Sequence, residues 1–265
     1  MPTAIAIAAH PDDIEFCMAG TLLLLKEAGY ETHYLNLSSG NLGSAEYDAV
    51  ETRFIRRQEA QKAAKLLGAH FHPSLTDDLE ILYERDILHR VAAIIREVRP
   101  EILLTHSPQD YMEDHTNTCR LAVTAAFARG MPNFITIPSR KAIDQDLTVY
   151  HAMPHGLCDP LRGKIIPGSF VNTASVHQIK MEALGAHKSQ QGWLDVSQGM
   201  NSYLQAMEDM SLEVARLSRK FRQSEGWRRH SHLGFCAYYA DPLKKALGRN
   251  YVVNQAYEKA LERGE

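Results

Sequence analysis

The sequence predicts an α/β fold: a Rossmann-like, doubly wound, mainly parallel sheet flanked by helices, with an elaborated carboxyl half. Short apolar runs alternate with helical patterns through residues 1–130, polar residues follow directly on two of those runs, and the pattern loosens after residue 130. Parallel strands joined by helices need right-handed crossovers, which puts ligands at the strands' carboxyl ends.

Thr3–Ala9, TAIAIAA, reads as a buried parallel strand ending at His10-Pro11. Helical spacing from Cys17 to Ala28, stopped by Gly29, leads to a second strand at Glu31–Leu37, a βαβ opening. SSGNLGS (Ser38–Ser44) is a small-residue loop and lacks the GxGxxG spacing of nucleotide sites. A charged amphipathic helix at Ala49–Leu67 ends on Gly68, and a strand at His70–His72, a helix at Arg85–Val98 closed by Pro100, and a strand at Ile102–His106 continue the alternation. A helix is expected at Asn117–Ala128. In the second half, Pro132–Pro138 and Pro154–Pro167 read as loops around a strand at Leu147–Met153. Helices at Val176–His187 and Gln198–Arg222, a strand at Leu233–Tyr239 and a terminal helix at Asn254–Arg263 follow. Met200, Met207 and Met210 suit core packing or an oligomer contact.

No repeat, low-complexity tract or linker divides the 265 residues. One domain is expected, with 1–130 as the Rossmann-like core and 131–265 as a carboxyl half that shapes the cleft. A net charge of -3 offers no field for nucleic acid. The amino terminus shows no secretory signal and no apolar run approaches a membrane span, so a soluble, cytoplasmic protein is expected. Cys17, Cys119, Cys158 and Cys236 are scattered without CxxC spacing, and read as reduced, mostly buried residues.

AHPDD, Ala9–Asp13, puts an imidazole and two carboxylates on the turn leaving a buried strand. Unpaired carboxylates in contact repel, and a divalent cation bound by one, with the other facing water, relieves the repulsion. The competing reading makes Asp12 or Asp13 a helix cap and His10 a turn residue. PQDYMEDH, Pro108–His115, repeats the situation after another strand. Two histidines and a carboxylate from different strand ends make a three-ligand set with a position left for water, as catalytic zinc sites have. For His115 the competing reading is a helix-start residue beside a capping Asp114.

These segments resemble a known family, the LmbE-like or PIG-L-like N-acetylglucosaminyl deacetylases. AHPDD is its signature, and the resemblance runs through AHPDDIEFCMAGTLLLLKEAG, RRQEAQKAAKLLGA, PQDYMEDHTNTCRLAVTAAF and KMEALGAHKSQ (Lys180–Gln190), four blocks in order over nearly the whole chain. It implies an LmbE-like fold and a metal-dependent hydrolase that removes an N-acyl group, typically acetyl, from an amino-sugar conjugate. It further implies His10, Asp13 and His115 as ligands of Zn²⁺, with Fe²⁺ or Co²⁺ as other candidates, Asp12 as general base, and Arg56 of RRQE as a substrate contact. Asp114 becomes the carboxylate beside the third ligand, grouped with Arg56 at the substrate. The expected partner is a small amino-sugar molecule, with a conjugate favoured over free N-acetylglucosamine, and the expected assembly is a homo-oligomer. An amidase for a thiol-sugar conjugate and a catalytically silent, metal-stabilised binding subunit are the alternatives, and the intact Asp12 argues against the second.

Many members have HPDH where this chain has MEDH, so Met112 stands where a histidine often stabilises the oxyanion or protonates the leaving amine. Its substitute is sought in WRRHSHLGF, where His232, opening a predicted strand, ranks ahead of His230; the competing reading makes both surface or structural residues. His33, His70, His72, His89 and His177 match no pattern. His70 and His72 would share a face of their strand, but no third ligand accompanies them in the sequence.

Overall fold

A computed structural model describes residues 1–190 and 203–264. In chain order the elements are β1 (Thr3–Ala8), α1 (Asp13–Cys17), α2 (Ala19–Glu27), β2 (Glu31–Asn36), α3 (Ala49–Leu67), β3 (His70–His72), α4 (Arg85–Val98), β4 (Ile102–Thr105) and α5 (Glu113–Phe127). There follow β5 (Thr148–Ala152), β6 (Ser169–Asn172), α6 (His177–Leu184), α7 (Tyr203–Ser218), β7 (Ser224–Arg229), α8 (Pro242–Leu247), β8 (Tyr251–Val253) and α9 (Gln255–Arg263). Among the described residues eight strands form one sheet, ordered β3-β2-β1-β4-β5-β7-β6-β8. The first five run parallel, and β7, β6 and β8 are added through antiparallel pairs.

The run TAIAIAA works by alternation within a strand covered on both faces. Ala4, Ala6 and Ala8 join the cluster containing Leu22 and Leu25 of α2 and Ala60 and Ala64 of α3. Ile5 and Ile7 face the other way, into the cluster of α4 and α5. Each isoleucine is fully buried and gains roughly 1.5–3 kcal/mol of transfer free energy. Asp48 caps α3 by accepting from the Val50 and Glu51 amides, and Gly68, in the left-handed region, ends it.

Several expectations need correction. The helix foreseen from Cys17 is two helices broken at Met18. α5 starts at Glu113, four residues before the expected Asn117, because Glu113 and Asp114 suit the positive end of a helix. No strand forms at Leu233–Tyr239: Arg129, in the turn that follows α5, donates to the carbonyls of Ala126, Gly234 and Phe235, folding the segment onto α5. The strand of that region is β7, whose SEGWRR sequence hides it. Its Glu225 is buried against Lys180 of α6 at 2.8 Å and accepts from the Gly20 and Thr21 amides of α2. Trp227, also buried, donates to Thr21 Oγ1. These contacts dock the carboxyl half on α2. Residues 198–202 of the helix expected at Gln198–Arg222, Met200 included, lie outside the described residues. Met207 packs with Leu184 and Tyr203, and Met210 against Val214 and Phe170, as core. Cys17, Cys158 and Cys236 are half-buried rather than buried, and all four thiols are unbridged. No helix among the described residues is long and apolar enough to cross a membrane.

Candidate active site

The chain leaves β1 toward β2 and leaves β4 toward β5, in opposite lateral directions, so the gap beyond the carboxyl ends of these neighbours is the sheet's switch point. AHPDD follows β1 and SPQDYMEDH follows β4, which brings the two polar blocks together. The turn out of β1 is strained: Asp12 has φ 113°, a conformation costing a non-glycine residue on the order of 1–3 kcal/mol. Its side chain does not cap α1. Asp13 instead accepts from the backbone N–H of His10 at 2.7 Å, folding the turn back on itself.

His10, Asp13 and His115 each bring a ligand atom within 4.8 Å of the others. His10 Nδ1 is 3.3 Å from Asp13 Oδ2, and His115 Nε2 is 3.4 Å from Asp13 Oδ1. The far nitrogen of each imidazole is tied to a carboxylate, His10 Nε2 to Asp114 at 2.9 Å and His115 Nδ1 to Asp110 at 3.0 Å. Such ties fix the tautomer and aim the other nitrogen at a metal. Two imidazoles and a carboxylate suit Zn²⁺ and neighbouring divalent cations, so the donor set fits a metal of that class. The electrostatics agree. Burial opposes a charge on His10, yet its bonds to Asp114 and Asp13 outweigh that and hold the imidazole at about 10. Burial likewise opposes charge on Asp13, but His115, His106 and His10 keep its carboxyl well below the usual range. These carboxylates demand positive charge beside them.

His106 stacks on His115 with centroids 4.2 Å apart, and its Nε2 accepts from the Ala9 amide at 2.9 Å. A second grouping, His106, Asp110 and His115, meets the same distance limit. There His115 and Asp110 are already engaged with each other and His106 with Ala9, so His106 buttresses the set.

Asp12 faces the same cavity. Arg56 Nη2 lies 3.4 Å from its Oδ2 and donates to the Pro11 carbonyl, while Nη1 donates to the Gly40 carbonyl at 3.3 Å. Tyr203 of α7 also hydrogen-bonds Asp12. Gly40, at φ 77°, is required here, because a Cβ would stand 2.6 Å from Arg56 Nε. Burial pushes the Asp12 carboxyl up, Arg56 pulls it down and Asp13 raises it again, leaving it at about 6. The cavity, about 300 Å³, is further lined by Phe16, Leu42, Leu79, Tyr111, Met112 and His155.

Comparison with known proteins shows what this arrangement belongs to. The family model PIG-L, described as GlcNAc-PI de-N-acetylase, matches residues 5–127. The diacetylchitobiose deacetylase of Thermococcus kodakarensis is 28% identical over 192 residues, covering 70% of this chain and 69% of that protein. The 4-oxalmesaconate hydratase of Pseudomonas putida is 30% identical over 190 residues, covering 69% of this chain and 71% of that protein. The chain belongs to the PIG-L family. Among solved structures, the 4-carboxy-2-hydroxymuconate hydratase of Pseudomonas putida shares the fold, with TM-score 0.73 at 24% identity over 86% of this chain and 96% of that one.

The PIG-L match spans both strand ends that carry the three donors. Met112, where many PIG-L members carry histidine, lines the cavity as a thioether that donates no proton. His232 is not brought there. It is exposed in the turn fixed by Arg129 and lines a separate depression with His230. His230 is hydrogen-bonded to His151 at 2.9 Å. Asp114, expected near the substrate, is buried and bonded to His10 and the Leu79 amide, so it tethers a donor and touches no open space. Arg56 is 2% exposed and braces the Asp12 loop. Sequence reasoning passed over Asp110, His106, Tyr203 and His155. Asp110 carried a signal, a carboxylate within the same block as His115, whereas Tyr203 and His155 lie in the irregular half, where no motif marks them.

Proposed function

We propose that the protein is a metal-dependent hydrolase that removes an N-acetyl group from an N-acetylglucosaminyl conjugate or related amino sugar. The observation that carries this reading is a buried His10–Asp13–His115 set facing a cavity in which a further carboxylate, Asp12, sits free of the set and is held near neutral pH. A divalent metal held by those three residues, Zn²⁺ foremost, would acidify a water and polarise the amide carbonyl. Asp12 is the base: a carboxyl poised near 6 takes the proton of an attacking water at neutral pH and is protonated afterward, ready to pass that proton to the leaving amine. Arg56 and Tyr203 hold the Asp12 oxygens in place. His155 supplies the donor that Met112 lacks. Its ring lines the cavity between Phe16, at 5.3 Å, and Tyr111, at 6.3 Å, and Tyr111 in turn packs edge-on to His115. Phe16, Tyr111 and Leu79 offer apolar faces to a sugar ring, in a cavity of about 300 Å³, within the range of small-molecule clefts. The protein acts in the cytoplasm, as a homo-oligomer.

The experiment is acetate release from a panel of N-acetylglucosamine conjugates by metal-loaded and chelator-stripped protein. Release that requires metal supports the reading, and none from any conjugate removes it. A second reading, addition of water to a carbon–carbon double bond, is favoured by one observation, the 30% identity to a hydratase. It predicts loss of an unsaturated tricarboxylate's absorbance and no acetate.

A further inference from the structure

The cavity over the donor set changes character from its floor to its rim. His10 and His115 are buried, whereas Leu42, Leu79 and Tyr111, which also line it, are 48%, 63% and 57% exposed. Large apolar side chains left in water gain nothing for folding. Leu79 carries a further cost, since its φ of 62° is a left-handed conformation disfavoured for any residue with a side chain. That turn is put to use: its amide donates at 2.8 Å to Asp114 Oδ2, the carboxylate that tethers His10. The loop after β2 is locked to it through Asp78. Asp78 accepts from Ser38 Oγ and the Gly40 amide at 2.8 Å and from the Leu42 amide at 3.2 Å, and its own amide donates to Asn41 Oδ1 at 2.9 Å. Leu42 and Leu79 therefore stand on two loops joined into one edge. Tyr111 stands on the loop after β4, its ring edge-on to His115 at 5.6 Å.

The charge on the lining is one-sided. Arg56 is the one lysine or arginine among the described lining residues, and it is buried, with its guanidinium on the carbonyls of Pro11 and Gly40 and beside Asp12. Residues 191–202 contain neither lysine nor arginine. Arg53 of α3 is paired with Asp77 and lines a separate depression. Asp12, Asp13, Asp78 and Asp110 line the cavity, and a divalent ion on the donor set with Arg56 supplies three positive charges against these four carboxylates. A carboxylate or phosphate at the rim would find no free cation there and would lose hydration, whereas an apolar group would cover the exposed leucines.

We propose that this site selects conjugates whose aglycone is uncharged and apolar, an aryl or alkyl group packed on Leu42, Leu79 and Tyr111, and discriminates against aglycones that carry a carboxylate or phosphate. The inference rests on the hydrolase reading above for the sugar, while the rim acts on a part of the ligand remote from the bond that is cleaved.

The test is calorimetric titration of metal-loaded Asp12→Asn protein, in which turnover is slowed, with the phenyl, 4-carboxyphenyl and methyl β-glycosides of N-acetylglucosamine, beside acetate release from the same three by wild type. The phenyl glycoside is expected to bind about tenfold more tightly than the methyl, the change that withdrawing roughly 60 Å² of apolar surface from water brings. The added carboxylate should cancel that gain. Combining Leu42→Ala with Leu79→Gly, the glycine suiting the left-handed backbone, should bring the phenyl and methyl Kd values within about threefold. Equal Kd for phenyl and methyl, a 4-carboxyphenyl glycoside that binds more tightly than the phenyl, or binding of none of the three overturns the proposal. The two readings fail separately: graded affinities without acetate from any conjugate remove the hydrolase and keep the apolar rim, and acetate with ungraded affinities removes the rim alone.

Discussion

Replacing Glu225 by glutamine tests how the carboxyl half is held to the rest. The Glu225 and Lys180 side chains are 3% and 1% exposed and 2.8 Å apart, and the carboxylate also accepts two amides, from Gly20 and Thr21, at 2.8 Å each. The substitution keeps the shape but leaves the Lys180 ammonium buried without its counter-charge, and it removes a negative group from the start of α2. Breaking a buried pair from one side costs about 3–5 kcal/mol. At roughly 2–4 °C per kcal/mol for a chain near this size, Tm should fall by about 10 °C. Lys180→Met should be similarly harmful alone. The double variant, which buries no unpaired charge, should return to within about 1–2 kcal/mol of wild type. Thermal and urea unfolding followed by circular dichroism give the four stabilities. A loss below about 1 kcal/mol for Glu225→Gln, or a double variant as unstable as the two single losses added together, would show that this pair does not hold the carboxyl half.

Other perturbations address the site. Asp110→Asn, which weakens the tie on His115, should raise the metal Kd about 10–100-fold by competition titration, with the fold unchanged by circular dichroism. His155→Ala should lower kcat about 10²–10³-fold with metal content unchanged, while His232→Ala leaves kcat within twofold of wild type; the reverse pattern would return the role to His232. Acid stability should depend on His151, which donates to the His106 carbonyl and is held at about 4 by burial, against an ordinary 6.5. The unfolded chain takes up its proton near 6.5 and the folded chain resists until about 4. This contribution is therefore complete above 6.5 and lost as pH falls to 4, a change of about 3 kcal/mol. His151→Gln should flatten that slope, and an unchanged slope would assign it to other groups.

The parallel half was legible because its signals are local. TAIAIAA can hardly be other than a buried strand, and α3, β3 and α4 carry caps, glycines or a proline at their ends. The two polar blocks also announced themselves, since each follows a strand whose neighbour is fixed by the crossover rule. What escaped depends on distant partners. β7 is written SEGWRR and becomes a strand only because Lys180 neutralises Glu225 and Thr21 receives the Trp227 N–H. Leu233–Tyr239 alternates like a strand, yet Arg129 takes the carbonyls a ladder would use. β6 and β8 are too short to show a period. The tethering roles of Asp110 and Asp114 emerge only when α5 begins early enough to aim them at different histidines.

Asp12→Asn separates base from ligand, with metal content and acetate release measured on one preparation after identical loading. Full metal occupancy is expected, because Asp12 stands outside the His10, Asp13 and His115 set, together with turnover lowered about 10²–10⁴-fold by loss of the base. Turnover equal to wild type, or metal and activity lost together, would contradict it.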